Sequence, residues 1–350
     1  MRARPLEVWK FGGASLGDAA GVQRAVGLVG AHRGPLVVVV SALAGVTDLL
    51  LDGARRAAAG DVRAGAAVAA AFVKRHRTVA DAVLRGAAAR RSFLALLDHA
   101  AREYRDLCAA VASLGEPLPR ALDAMLSRGE RVSAALVAGA LAAARRRSAE
   151  VDALHVVATD ARHGAANPDL EQSRTRARRV LRPLLQQGAT PVLPGYIGAA
   201  PDGRITTLGR GGTDLTATLL ARCLGARRAV LWKDVPGILT ADPRIVPDAR
   251  LIPQLHHREA AEVAYFGGKV LHPRALIPVD GSRILLEVRS FLEPSRPGTE
   301  VSSRRTLPRY PVKAVATIPG QALVTVAGKG MLGVPGIAAR TFAAVHAEGL

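Results

Sequence analysis

At 350 residues, 49% of them apolar, the chain can bury a large core and is expected to divide into two or three units. Its 48 Lys and Arg against 29 Asp and Glu give a net charge of +19, but aromatic residues are only 3% and the arginines are scattered through Ala-rich stretches such as AAARRRSAE, so no nucleic-acid partner is expected. Two cysteines, Cys108 and Cys223, exclude a disulfide framework, and neither a signal core nor a membrane-span-length apolar run is evident, so a reducing, cytoplasmic setting without a membrane partner is expected.

Taken in chain order, apolar runs of strand length alternate with helical patterns. LEVWKF and LVVVVSA read as strands, DAAGVQRAVGLVGAH and VTDLLLDGARRAAAG as helices. This alternation predicts an α/β fold with a mostly parallel sheet sandwiched by helices. Residues from about 63 to 146 are Ala-rich and helical, a helical excursion beside the sheet. Weak strands return at ALHVVAT, followed by ATPVLPGYIGA, the loop TTLGRGGTD with its helix LTATLLARCLGA, and the strand ARRAVLWKDV. HREAAEVAYFGGKVLHPRALIPV and the strand ILLEVRSF come next. A Pro-, Ser- and Arg-rich stretch then marks a boundary: one domain over 1–303, a linker over 304–311, and a last segment over 312–350. That segment shows two strand-like runs, VKAVATI and ALVTVAG, and a helix at PGIAARTFAAVHAEG.

Several loops carry residues suited to anions. Thr206–Asp214 places glycines, Arg210 and an acid directly before a helix, where backbone N–H groups, the positive dipole end and a guanidinium fork converge on negative charge. A plain Gly-Gly turn with an ordinary helix cap is the alternative. Lys10-Phe11-Gly12-Gly13 is a strand-to-helix turn able to expose N–H donors and a compact cation to phosphate, although no Walker A loop is present. Ser41 and Thr47 flank the end of the second strand, where open α/β sheets collect ligands; capping the next helix is their alternative role. Glu130, in the run SRGE, reads on charge alone as a surface acid. The stretch from Trp232 to Arg244 leaves a strand through two turn signals and suits a nucleotide base and ribose. Lys269, after a second Gly-Gly turn, adds another cation, and two lysines on separate Gly-rich loops suit phosphoryl transfer.

Jointly and in this order, KFGGAS, VVVVSALAGVTDLL, SRGE, TTLGRGGTD, WKDVPGILTADPR, AEVAYFGGKVLHP and EVRSFLEPSRPGTEV resemble the aspartate kinases of the amino acid kinase superfamily. The resemblance spans about residues 6–301. It implies transfer of the ATP γ-phosphoryl group to the β-carboxylate of L-aspartate, with Mg²⁺ as the partner of ATP, opening the lysine, threonine and methionine pathway. Carried over by position, Lys10, Asp214 and Lys269 are the catalytic residues. Ser41, Thr47, Glu130, Arg210, Gly211, Gly212 and Thr213 bind aspartate, with Arg210 on its α-carboxylate and Glu130 on its ammonium. Lys10, Phe11, Gly12, Gly13, Lys233, Asp234, Leu239, Arg244 and Lys269 line the nucleotide, and no protein metal site is implied. Leu239 stands where some members have Tyr, so an apolar contact to adenine is expected in place of stacking. A glutamate- or carbamate-type kinase of the superfamily and a non-catalytic amino-acid sensor are the alternatives.

The segment 312–350 is similar to the opening half of an ACT regulatory module, which needs a complete βαββαβ unit. The chain is accordingly expected to be a fragment of a longer, homo-oligomeric regulated enzyme. Its continuation would hold further ACT modules or a second catalytic domain, such as homoserine dehydrogenase or diaminopimelate decarboxylase.

Overall fold

A computed structural model of the chain describes residues 4–268, 270–304, 312–318, 320–323, 325–327 and 335–348. In chain order the elements are β1 (Glu7–Phe11), α1 (Ala19–Ala31), β2 (Leu36–Val40), α2 (Val46–Ala58), α3 (Ala64–Val83), α4 (Ala87–Leu114), α5 (Pro119–Ala143) and β3 (Ser148–Glu150). They continue with α6 (Leu170–Gln186), β4 (Thr190–Pro194), β5 (Ile197–Ala199), β6 (Ile205–Thr207), α7 (Gly212–Leu224) and β7 (Arg228–Lys233). The last are β8 (Gln254–His256), α8 (His257–Tyr265), β9 (Leu285–Ser290), β10 (Thr299–Ser302) and α9 (Ile337–Ala347).

Eight strands form one sheet in the order β3-β4-β2-β1-β7-β9-β10-β8. From β3 to β9 every pairing is parallel, and the direction reverses between β9 and β10. The buried strands read as continuous apolar runs because helices cover both faces. Their two-residue period sorts the side chains: Trp9, Phe11, Val38, Val40, Val230 and Trp232 join the core packed by α1 to α5, whereas Val8, Val37, Val39, Ala229 and Leu231 join the core packed by α6 and α7. Strand β1 sits between β2 and β7, so the sheet is extended on one side of it by β2, β4 and β3 and on the other, later in the chain, by β7 and β9. Crevices at such switch points, outside the carboxyl ends of parallel strands, are where open α/β sheets hold ligands.

The expected helical excursion is present as α3, α4 and α5. Two strand expectations are corrected. Around ALHVVAT the chain makes its strand earlier, at Ser148–Glu150, and Ala153–His155 is a 3-10 turn whose opening amide, Leu154 N–H, donates to the Asp152 carboxylate. ATPVLPGYIGA is not one strand but two, β4 and β5, in different sheets. The break falls at Tyr196, whose φ of 70° is a left-handed conformation that a strand interior does not accept.

Two compact units divide the chain, 1–316 and 317–350. Residues 313–315 belong to the first: the Lys313 ammonium pairs with Glu259 at 2.7 Å and the Val315 N–H donates to the Thr240 carbonyl. In the second, the expected helix forms as α9. Residues 312–318, 322–323 and 325–327, the described parts of the two strand-like runs, are not in strands.

Candidate active site

At the carboxyl end of β1, Lys10 shares the face of Val8, and at the end of β7 Lys233 shares the face of Leu231. Both ammoniums therefore point to the side covered by α7. There Asp214, in the helix's first turn, receives them one on each oxygen: Lys10 Nζ lies 2.7 Å from Oδ1 and Lys233 Nζ 2.7 Å from Oδ2. Burial alone would push the Asp214 carboxyl up, but the two ammoniums hold it below the usual carboxylate range. Burial lowers Lys10 from its ordinary value, with Asp214 opposing and Lys233 reinforcing the shift. One carboxylate thus holds two cations side by side, which concentrates positive charge at a sheet edge. Gly12 keeps the way to Lys10 open, since a Cβ there would stand 3.0 Å from its ammonium. Gly13, whose Cβ would approach the Ala42 carbonyl at 3.4 Å, lets this turn lie against the end of β2.

Helix α7 begins without a side-chain cap, so its first amides face the same edge. Its N-cap, Gly211, has φ 71°, and a Cβ there would lie 2.4 Å from the His272 side chain, so only glycine fits. Arg210 stands exposed on this loop and has no hydrogen bond or ion pair with a described residue. Thr213 accepts a hydrogen bond from the Ser41 hydroxyl at 2.9 Å, joining the end of β2 to α7. Gly212 leaves room for the Tyr196 ring, which a Cβ would meet at 2.8 Å.

Glu130 is not a surface acid. It lies on α5 with 4% of its area exposed, and Gly129 allows the approach, because a Cβ there would meet the Ala42 methyl at 2.8 Å. Burial raises the Glu130 carboxyl to about 7, opposed by hydrogen bonds from backbone amides, Ala42 among them, and from Thr47. Its Oε2 has no partner among the described residues, an acceptor available for a cationic donor.

The remaining nucleotide-side residues are spread more widely. Phe11 is buried in the core and stacks on Trp232, so within KFGG its side chain serves packing. Asp234 is exposed just beyond β7. Leu239 is half-buried and bridges Leu251 at the base of a loop over residues 238–252. Arg244 lies out on that loop, exposed, with its guanidinium on Asp242 at 2.5 Å. Lys269 lies outside the described residues.

Two residues missed by the sequence reading belong here. Tyr196 holds a strained left-handed backbone beside Gly212, a conformation that bulky residues keep where the surroundings over-determine it, commonly at functional sites. The Pro-Gly-Tyr run was its only signal. His272 packs against Gly211, and burial lowers its imidazole, with Arg274 and Arg210 adding to the shift and Asp214 opposing it.

The Glu130 shift has a measurable sign. A carboxyl at about 7 in the fold and near its ordinary 4.5 in the unfolded chain weakens the fold progressively as pH rises from 4.5 to 7. Above that range the penalty is roughly 3 kcal/mol at most. Glu130→Gln is expected to melt a few degrees above wild type at pH 8, with the gain shrinking toward pH 5, in thermal-melting curves recorded at both values.

A scan against family models matches residues 5–290 to the amino acid kinase family. Lysine-sensitive aspartokinase 3 of Escherichia coli is 35% identical over 337 residues, which cover 96% of this chain and 72% of that protein. A bifunctional chloroplastic aspartokinase/homoserine dehydrogenase 2 of Zea mays is 32% identical over 98% of this chain, but the match takes in only 38% of its own length. Among solved structures, Escherichia coli aspartokinase III in complex with aspartate and ADP superposes with a TM-score of 0.78 at 35% identity, covering 86% of this chain and 65% of that one.

Proposed function

This chain belongs to the amino acid kinase family, and from that premise we propose that it is an aspartate kinase, transferring the ATP γ-phosphoryl group to the β-carboxylate of L-aspartate. The observation that carries the reading is the Lys10–Asp214–Lys233 cluster at the switch point of the sheet, with Glu130 and Arg210 on neighbouring elements. The relatives named aspartokinase, one solved with aspartate and ADP, support the choice of acceptor.

In this reading Lys10 and Lys233 neutralise the charge that builds on the transferring group, and Asp214 aims both ammoniums. The glycine turn at Gly12–Gly13 admits phosphate oxygens to backbone donors, and Gly211 and Gly212 open the aspartate pocket at the start of α7. Arg210 takes the α-carboxylate of aspartate and the free Oε2 of Glu130 takes its ammonium, while Ser41, Thr47 and Thr213 supply hydroxyls. The β-carboxylate is already ionised near neutrality, so the protein need not remove a proton. One carboxylate oxygen forms a bond to the γ-phosphorus as the bond to the bridging oxygen breaks. ADP leaves, and the product is 4-phospho-L-aspartate.

Leu239 and Asp234 are assigned to the nucleotide side, as are Arg244 and Lys269. Mg²⁺ would ride on the ATP phosphates and water. Each Asp214 oxygen faces a lysine ammonium at 2.7 Å, an arrangement that serves the lysines and leaves the metal to the nucleotide. Residues 312–350 are assigned to a regulatory segment of ACT type in a homo-oligomeric, cytoplasmic enzyme of lysine, threonine and methionine biosynthesis. The Escherichia coli relative is named lysine-sensitive and matches 96% of this chain, past the family match that ends at residue 290, which supports a regulatory role for the segment.

Acceptor competition tests the reading. With ATP and Mg²⁺, ADP release is expected to rise at least tenfold on adding L-aspartate and to stay at background with L-glutamate or carbamate. A response to glutamate alone would replace this acceptor with another.

A further inference from the structure

We infer that Asp123 is a positioning residue that sets the distance between the two ends of the amino-acid subsite, a role that rests on the acceptor reading above. Asp123 lies on α5 two turns before Glu130, which places both on one face of the helix. It is only 1% exposed, and its carboxylate is surrounded by donors from two separate loops. The Thr207 hydroxyl donates to Oδ1, the Gly164 amide reaches both oxygens at 3.1 Å, and His163 Nδ1 lies 2.7 Å from Oδ2.

Thr207 ends β6 and directly precedes Leu208, Gly209 and Arg210. Arg210 is thus hung, through Thr207, on the same rigid helix that carries Glu130. The second loop supports the first, because Gly209, at φ 72°, comes so close to the Gly164 carbonyl that a Cβ would stand 3.2 Å from it. Arg274 also donates to the carbonyls of Leu208 and Ala166, tying the same two loops together. With Arg274 still in place, loss of the Asp123 anchor loosens the loop without releasing it.

The consequence is specific. A ligand gripped at one end by Glu130 and at the other by Arg210 needs the two at a fixed separation, and misplacement by about 1 Å can cost on the order of 10²-fold in rate. The backbones that carry Lys10 and Lys233 are fixed by the pairing of β1 with β7 and not by this anchor, which reaches the nucleotide side only through Asp214, one turn into α7. A buried carboxylate that served stability alone would not distinguish one substrate from the other.

Two variants of the full chain test this, Thr207→Val and Asp123→Asn, with Thr207→Ser as the conservative control. Hydrogen exchange of the 208–215 stretch, where the Gly212 and Leu215 amides are bonded within the loop, is expected to speed up about tenfold in both variants with α5 unchanged. In steady-state kinetics the KM for L-aspartate is expected to rise about tenfold while the KM for ATP stays within twofold. Thr207→Ser should restore both readouts.

Wild-type exchange at 208–215 in Thr207→Val overturns the inference whether or not the protein phosphorylates aspartate. Faster exchange of α5 together with the loop, or parallel rises in both KM values, makes the network merely structural and also overturns it. Wild type without aspartate-dependent turnover refutes the acceptor reading alone, and the exchange measurement still decides the positioning role.

Discussion

Replacing Lys10 with methionine should lower kcat by about 10³-fold, because charge stabilisation dominates phosphoryl transfer and a preorganised cation in a water-poor site is worth about that much. Methionine keeps the length and burial of the side chain, so the change removes a charge and little else. Lys10 is 5% exposed and held at 2.7 Å by Asp214, which leaves its ammonium little freedom to be elsewhere. In the variant Asp214 keeps Lys233 alone, and one cation then faces the transferring group where two did. Binding of aspartate does not use Lys10, so its KM is expected to stay within threefold. Single-turnover ADP formation measures the effect, and a loss smaller than tenfold would remove Lys10 from the chemistry. A melting curve separates this from unfolding, since a buried acid deprived of one partner also weakens the fold.

Arg210→Ala should raise the KM for aspartate about 10²-fold and leave that for ATP nearly unchanged. A charge-assisted fork to a carboxylate is worth about 1.5–3 kcal/mol, and one decade corresponds to about 1.4 kcal/mol. Arg210 is exposed on a loop whose flanking glycines hold φ of 72° and 71°, a backbone that keeps its shape without help from the guanidinium. Its removal therefore leaves the melting temperature within about a degree of wild type, in contrast to the Lys10 variant. Arg210→Lys should recover a small part of the loss, because an ammonium restores charge but not the two-pronged geometry. Equal weakening toward ATP and aspartate would place Arg210 on the phosphate side.

Much of this arrangement was legible beforehand, for identifiable reasons. The apolar runs at β1, β2 and β7 are long and flanked by turn glycines, and helices covering both sides of the sheet explain why they do not alternate in polarity. Lys10, Asp214 and Lys233 each stood out at a strand end or helix start, yet their meeting on one carboxylate depends on strand parity and register, which only the assembled sheet supplies. Glu130 read as a surface acid on charge alone, and its burial inside the continuous helix α5 arises from Gly129 admitting the end of β2. Tyr196 was hidden inside a run that read as one strand. Asp123 carried no signal in the sequence because its donors come from residues 163, 164 and 207, all distant along the chain. The apolar run at 153–159 misled because an Asp152 cap turns it into a 3-10 turn instead of a strand.

The most direct test is to trap the product. Incubated with ATP, Mg²⁺, L-aspartate and hydroxylamine, the protein is expected to yield aspartate β-hydroxamate, identified by mass spectrometry, in step with ADP release, and the Lys10→Met variant is expected to yield almost none. ADP release without hydroxamate, or hydroxamate formed equally well by the Lys10→Met variant, would contradict phosphoryl transfer to the β-carboxylate at this cluster.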